Sequence, residues 1–260
     1  MKTYGLIGYP LSHSFSKKYF TEKFEKENIR DCIYNLYPIE TINLFPQLIN
    51  DHPDLCGLNV TIPYKESVLP FLDELDATAK GIGAVNCIKI LTDEKKTTGP
   101  IKNKKLIGYN TDAFGFRQSI KPFLEKQHEK ALILGTGGAS KAVAYVLKEI
   151  GVDCFYVSRT KHPTAKNQFT YEELNENVMN AFKLIVNSSP VGTYPNITEA
   201  PKIPYQYISS DHLLYDLVYN PEQTEFLKRG KEKGATTVNG LSMLQQQAEE
   251  AWKIWNSGLH

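Results

Sequence analysis

Nowhere does this sequence run apolar for anything near the roughly 20 residues that a membrane-spanning helix needs, and Met1-Lys2 pass directly into strand-like residues instead of the apolar segment of a signal peptide. A cytoplasmic location is the expectation, without a membrane partner. A surplus of charge is missing as well. Thirty Lys and Arg face 29 Asp and Glu, a formal net charge of +1, so no overall field draws the chain to nucleic acid or to an anionic surface. Cysteine is scarce and shows no paired spacing: Cys32, Cys56, Cys87 and Cys154 are scattered through apolar runs, which excludes the usual zinc and redox patterns and reads as buried free thiols. Internal repeats and low-complexity tracts are also lacking. What remains is small-molecule chemistry on a chain of 260 residues, long enough for one large or two modest domains.

The most informative stretch runs from Lys130 to Lys161. Ala131 to Leu134 form an unbroken apolar run, as in a strand buried on both faces of a parallel sheet. It stops at Gly135-Thr136-Gly137-Gly138. From Ala139 the apolar residues Ala142, Val143, Val146, Leu147 and Ile150 recur at helical spacing, Gly151 stands at a helix end, and Cys154 to Val157 resume the strand pattern. Bare glycines at such a turn admit a diphosphate to backbone amides, and the helix N-terminus favours its charge. The third glycine of the usual fingerprint is Ser140, so the match is to a relaxed form. An acid about 20 residues after the turn, which would hold the ribose 2′-hydroxyl of NAD, is absent. Ser158-Arg159-Thr160-Lys161 stand there instead, and suit the 2′-phosphate of NADP.

The first half also reads as alternating strands and helices. Strands are expected over 3–7, 32–37, 55–60, a segment reaching Ile90, and 106–109, with helices over about 17–28, after Glu40, and over 67–75. Ser16 suits an N-cap of the first helix. Residues 92–104, polar and lysine-rich, read as the tip of an exposed hairpin. Asp112 is placed to cap a helix over 113–124. Beyond the glycine turn, a helix over 171–179, strands over 184–186 and 213–218, a helix over 224–233, a strand over 236–238 and a C-terminal helix over 242–255 follow. Two α/β units, one on each side of residue 112, are implied. Polar residues gather at strand ends, where open α/β sheets bind ligands: Ser14, Ser16, Asn59, Thr61, Lys65, Asn86 and Asp112.

Gly8-Tyr9-Pro10 through His13-Ser14 and Ser16, Asn59-Val60-Thr61 through Pro63 and Lys65, Gly83-Ala84-Val85-Asn86, Asn110-Thr111-Asp112, the glycine turn, Ser158-Arg159-Thr160, and Gly240 through Met243-Leu244 and Gln247 span nearly the whole chain. At these motifs the sequence resembles the shikimate dehydrogenase family. The resemblance implies an N-terminal α/β substrate domain (1–112 with 239–260), a C-terminal Rossmann-like NADP-binding domain (113–238), and a C-terminal helix returning to the first domain. It implies NADPH-dependent reduction of 3-dehydroshikimate to shikimate, with Lys65 and Asp112 as the catalytic pair. Ser14 and Ser16 would bind the substrate carboxylate with Tyr219 nearby, and Asn59, Thr61, Asn86, Asp112 and Gln247 its other oxygens. Gly135, Gly137, Gly138, Ala139, Ser158, Arg159, Thr160, Ser189 and Gly240 would line the cofactor. A monomer or homodimer is expected, without a metal. Ser158 and Thr193 depart from the family's usual asparagine and methionine. A quinate/shikimate enzyme with relaxed cofactor use, and a non-catalytic NADP-binding sensor, are the competing readings.

Overall fold

Short apolar runs separated by polar turns build the first sheet from β1 (Lys2–Gly8), β2 (Cys32–Pro38), β3 (Leu55–Val60), β4 (Glu74–Leu75), β5 (Cys87–Thr92) and β6 (Lys104–Tyr109). Helices α1 (Phe15–Lys26), α2 (Phe45–Asp51) and α3 (Ala77–Ile82) join them, and α4 (Thr111–Ile120) follows β6. The spatial order is β2-β1-β3-β5-β6-β4. β1 pairs in parallel with β2 and β3, whereas β5 runs antiparallel to both β3 and β6. This computed structural model describes residues 1–11, 14–161 and 167–258, so Ser12 and His13 of the serine-rich turn lie outside the described residues.

Both faces of the first sheet are covered. One face packs Ile7, Phe45, Leu58, Ile88 and Leu106. The other packs Tyr4, Phe20 and Tyr34 with Ala251 and Trp255 of α8 (Leu241–Asn256). Gly57 makes this second layer possible: a Cβ there would meet the Trp255 indole at 2.3 Å. The indole N–H donates to Ile88 O at 3.0 Å, so a buried donor is satisfied while its ring stacks on Tyr4 at 4.9 Å. The chain divides into two compact units, Met1–Thr111 with Ala248–His260, and Asp112–Gln247.

Several expectations change on folding. The first helix begins at Phe15, and its cap is Ser14, whose hydroxyl accepts from Lys17 N at 3.2 Å; Ser16 sits inside the first turn. Residues 67–75 do not form a helix. Pro70 leaves only a single turn over Leu69–Phe71, and β6 captures the rest: Asp73 N donates to Leu106 O at 2.9 Å, and Leu106 N returns a bond to the Asp73 carboxylate at 2.8 Å. The 92–104 connection joins an antiparallel pair as expected, yet Ile101, its lone apolar residue, is buried in the first core. Asp112 is within the first turn of α4 and is not its cap, because the helix already begins at Thr111, whose N–H donates to Asn86 Oδ1 at 2.6 Å. That helix stops at Ile120, before Pro122.

In the second unit β7 (Lys130–Leu134), β8 (Asp153–Ser158), β9 (Gln168–Thr170), β10 (Leu184–Asn187), β11 (Leu213–Asp216) and β12 (Thr236–Val238) form a wholly parallel sheet ordered β12-β11-β10-β7-β8-β9. Its helices are α5 (Gly138–Glu149), α6 (Glu176–Ala181) and α7 (Glu225–Glu232). Ala131 to Leu134 are fully buried, as an unbroken apolar run in a central strand requires. The helix expected over 171–179 splits: a short turn covers Tyr171–Glu173, and Asn175 starts α6 anew by accepting from Val178 N at 3.2 Å. Among the described residues, no helix is long and apolar enough to cross a membrane. The four cysteines are free thiols, with Cys32 and Cys56 only partly buried.

Candidate active site and cofactor turn

The antiparallel placement of β5 decides the first half of the site. It sets Asn86, just before β5, beside the carboxyl ends of β3 and β6. Val60 N donates to Asn86 O at 2.9 Å, and Asn86 N to Tyr109 O at 3.1 Å. The Asn86 side chain is buried and engaged with the start of α4, its Nδ2 donating to Thr111 Oγ1 at 3.0 Å and its Oδ1 accepting from Thr111 N. Asp112 is the next residue. Neighbouring Asn110 donates to Ala84 O at 2.9 Å, fixing the same corner from the other side.

Asn59 of β3 joins this corner through Nδ2, which donates to Asn86 O at 3.3 Å, while its Oδ1 accepts from the Tyr34 hydroxyl at 2.8 Å. Thr61 N donates to Ile7 O at 2.9 Å and Thr61 O accepts from Tyr64 N at 2.9 Å, so the chain turns immediately after β3. Tyr64 anchors that turn by donating to Ile39 O at 2.5 Å. Lys65 follows, and its carbonyl accepts from Val85 N at 2.7 Å, one residue from Asn86. Phe20 of α1 stacks on the Tyr34 ring at 4.7 Å, tying α1 to β2. Asn59, Thr61, Lys65 and Asn86 are thus brought to one end of the first sheet.

Asp112, Tyr219 and Gln247 belong to the second unit. Gly115, one turn beyond Asp112, lets α4 meet α8 closely: a Cβ there would stand 2.5 Å from Met243 O and 3.2 Å from Gln247 Cβ. Tyr219 follows β11 and is half-buried, and burial raises its hydroxyl above the ordinary tyrosine range. At the end of that strand lies a network the sequence reading missed. Asp216, fully buried, accepts from Thr224 Oγ1 at 2.6 Å, from Val218 N at 3.0 Å and from Asn187 Nδ2 at 3.0 Å.

Burial pushes the Asp216 carboxyl up to about 6, against the pull of these hydrogen bonds. The folded value lies above the unfolded one, so the native state holds the extra proton. Its stabilising contribution is complete below about pH 4 and is lost as pH rises through about 6, a difference on the order of 3 kcal/mol. Asp216→Asn is expected to flatten this part of the profile. Urea unfolding at about pH 4 and about pH 7 checks it, and an unchanged pH dependence in the variant would assign the effect to other groups.

The glycine turn has the form a diphosphate needs. Gly135 takes φ +110°, a conformation that disfavours side chains, and a Cβ on it would come within 3.2 Å of Ser188 Oγ. A Cβ on Gly137 would meet nothing within 4 Å, and Gly137 caps α5 without a side-chain hydrogen bond, so no side chain of the cap occupies the helix N-terminus at Gly138 and Ala139. Ser140, in place of the third glycine, is buried and donates to Gly137 O at 2.5 Å. Ser188 lies alongside, donating to Leu134 O at 2.8 Å, and Ser189 Oγ donates to Asn187 Oδ1 at 2.6 Å.

At the end of β8, Ser158 Oγ donates to Thr160 O at 2.5 Å and accepts from Gln168 Nε2 at 2.5 Å, so a buried glutamine from β9 shapes the loop that presents exposed Arg159. Burial raises the Tyr171 hydroxyl above the ordinary tyrosine range, and the nearby charge of Arg159 opposes part of that rise. Gly240 stands apart from this turn: a Cβ there would come within 2.1 Å of Leu217 O, so its lack of a side chain serves the packing of the start of α8. The turn, its open helix N-terminus and the cationic loop fit a phosphorylated dinucleotide.

Residues 6–88 match the model of the shikimate dehydrogenase substrate binding domain. Over 269 residues the chain is 39% identical to the shikimate dehydrogenase (NADP(+)) of Carboxydothermus hydrogenoformans, covering 98% of this chain and 91% of that one. The chain belongs to the shikimate dehydrogenase family. The solved shikimate dehydrogenase of Aquifex aeolicus superposes with a TM-score of 0.81 at 34% identity, covering 98% of this chain and 92% of its own. The Thermus thermophilus enzyme, solved in complex with NADP(H) and shikimate, gives 0.81 at 28% identity, covering 100% and 95%. Sequence reasoning missed Tyr34 and Gln168, and named Thr111 only as part of a motif. Each looks like an ordinary strand or helix residue until register brings its polar atom to a distant partner.

Proposed function

We infer that this chain catalyses the reversible, NADP(H)-dependent interconversion of 3-dehydroshikimate and shikimate, a step toward the aromatic amino acids. The observation that supports this most is the gathering of Asn59, Thr61, Lys65 and Asn86 at one end of a sheet, in a chain whose second sheet opens a bare glycine turn and a cationic loop to a dinucleotide. Gly135, Gly137, Gly138 and Ala139 would hold the diphosphate, Ser189 would face it, and Ser158, Arg159 and Thr160 would hold the 2′-phosphate. When bound, the dinucleotide supplies or accepts the hydride. The family places Gly240 at the cofactor as well, where its backbone alone is available.

The chain's own residues do the rest. Ser14 can cap α1 through its oxygen and still donate its proton to a carboxylate, which the α1 N-terminus also favours. Ser16 and Tyr219 would complete that carboxylate site. Asn59, Thr61, Asn86 and Gln247 hold the ring oxygens. Lys65 gives its proton to the substrate oxygen as negative charge develops there, and Asp112 orients the ammonium and binds the neighbouring hydroxyl. We place the enzyme in the cytoplasm, as a monomer or homodimer.

The test is to mix purified protein with shikimate or quinate and NADP or NAD, and to follow nicotinamide absorbance. Fast reduction of NADP by shikimate is expected. Comparable rates with quinate and NAD would favour the relaxed enzyme, and silence in all four mixtures would favour a sensor.

A further inference from the structure

We propose that Tyr34 is a positioning residue of the substrate site: its hydroxyl fixes the amide of Asn59, the residue that binds a ring oxygen. This rests on the substrate reading above.

The hydrogen-bond directions follow from a single fixed group. The Asn86 carbonyl can only accept, so the Asn59 atom facing it at 3.3 Å is Nδ2. The opposite orientation would set two acceptor oxygens against each other. Asn59 Oδ1 therefore faces Tyr34 at 2.8 Å and must accept, which commits the one Tyr34 proton to it. The remaining Nδ2 hydrogen of Asn59 is the one that serves a ligand, and its direction is set by Tyr34 and Asn86 together.

The ring that carries this hydroxyl is held firmly. Tyr34 is 2% exposed and stacks on Phe20 of α1 at 4.7 Å with an interplanar angle of 14°. Trp255 of α8 lies 6.4 Å away, centroid to centroid. An ordinary core position would need the ring but not the oxygen. Here the oxygen is bonded to a side chain of the proposed substrate site.

Tyr34→Phe removes the oxygen and keeps the ring contacts, so the variant should fold. We expect the KM for shikimate to rise about fivefold to tenfold, the loss of one neutral hydrogen bond or a little more, with the KM for NADP and kcat changed less than about twofold. In an Asn59→Ala background the same change should add less than about twofold, because the group it positions is gone. A purely structural role would lower the thermal midpoint and affect both substrates alike. An unchanged KM for shikimate, equal losses for both substrates, or full additivity with Asn59→Ala would each overturn the proposal. A wild type that turns over shikimate while Tyr34→Phe matches it removes this proposal alone, whereas a wild type silent with shikimate removes the functional reading beneath it.

Discussion

Lys65→Met is expected to lower turnover by about a hundredfold to ten-thousandfold, the usual contribution of a positioned general acid. Lys65 follows the turn after β3, and its carbonyl is bonded to Val85 N at 2.7 Å, so the main chain that presents it is tied to the segment carrying Asn86. Methionine keeps the length of the side chain and removes both the proton and the charge. Shikimate affinity should suffer much less, since Ser14, Ser16, Asn59, Asn86 and Gln247 remain. A loss confined to turnover marks an interaction made mainly in the transition state. Asp112→Asn should also be slow, and the double variant should be scarcely worse than the poorer single one, because the two residues act as a unit. Steady-state kinetics with calorimetric shikimate binding checks both points. If Lys65→Met retained more than about a tenth of wild-type turnover, the proton would have to come from another donor, with Tyr219 or a bound water next.

Arg159→Ala is expected to weaken NADPH use about thirtyfold while leaving NADH use nearly unchanged, since it removes a charge-assisted contact to a phosphate that only NADPH carries. The loop that bears Arg159 is shaped by Ser158, Thr160 and Gln168, whose mutual hydrogen bonds do not involve the guanidinium. The substitution should therefore leave the loop standing. Comparing kcat/KM for the two cofactors decides the matter, and equal losses with both would dismiss the phosphate assignment.

Much of the second unit was legible from local pattern. Ala131 to Leu134 read as a buried strand and are fully buried, α5 follows the glycine turn, and Gly151 takes the left-handed φ of +82° just past its end. The helix read over 224–233 is α7, with Thr224 as its cap instead of its first residue, accepting from Leu227 N. These features depend on periodicity, turn chemistry and capping within a few residues, so the sequence alone determines them. The family motifs named the candidate residues in the same way.

Tertiary structure alone decided how those residues are held. Nothing near Asn86 in sequence says that it caps α4 through Thr111, and nothing near Gly57 says that Trp255 lies on it. Tyr34 reads as one more aromatic in a strand until β1, lying between β2 and β3, sets its hydroxyl against Asn59, 25 residues on. The antiparallel insertion of β5 is the same kind of fact, for the sequence shows a strand there but not its direction. Side-chain partners across a sheet are set by strand order and register, which arise from packing both faces of the whole sheet, and short-range pattern carries neither.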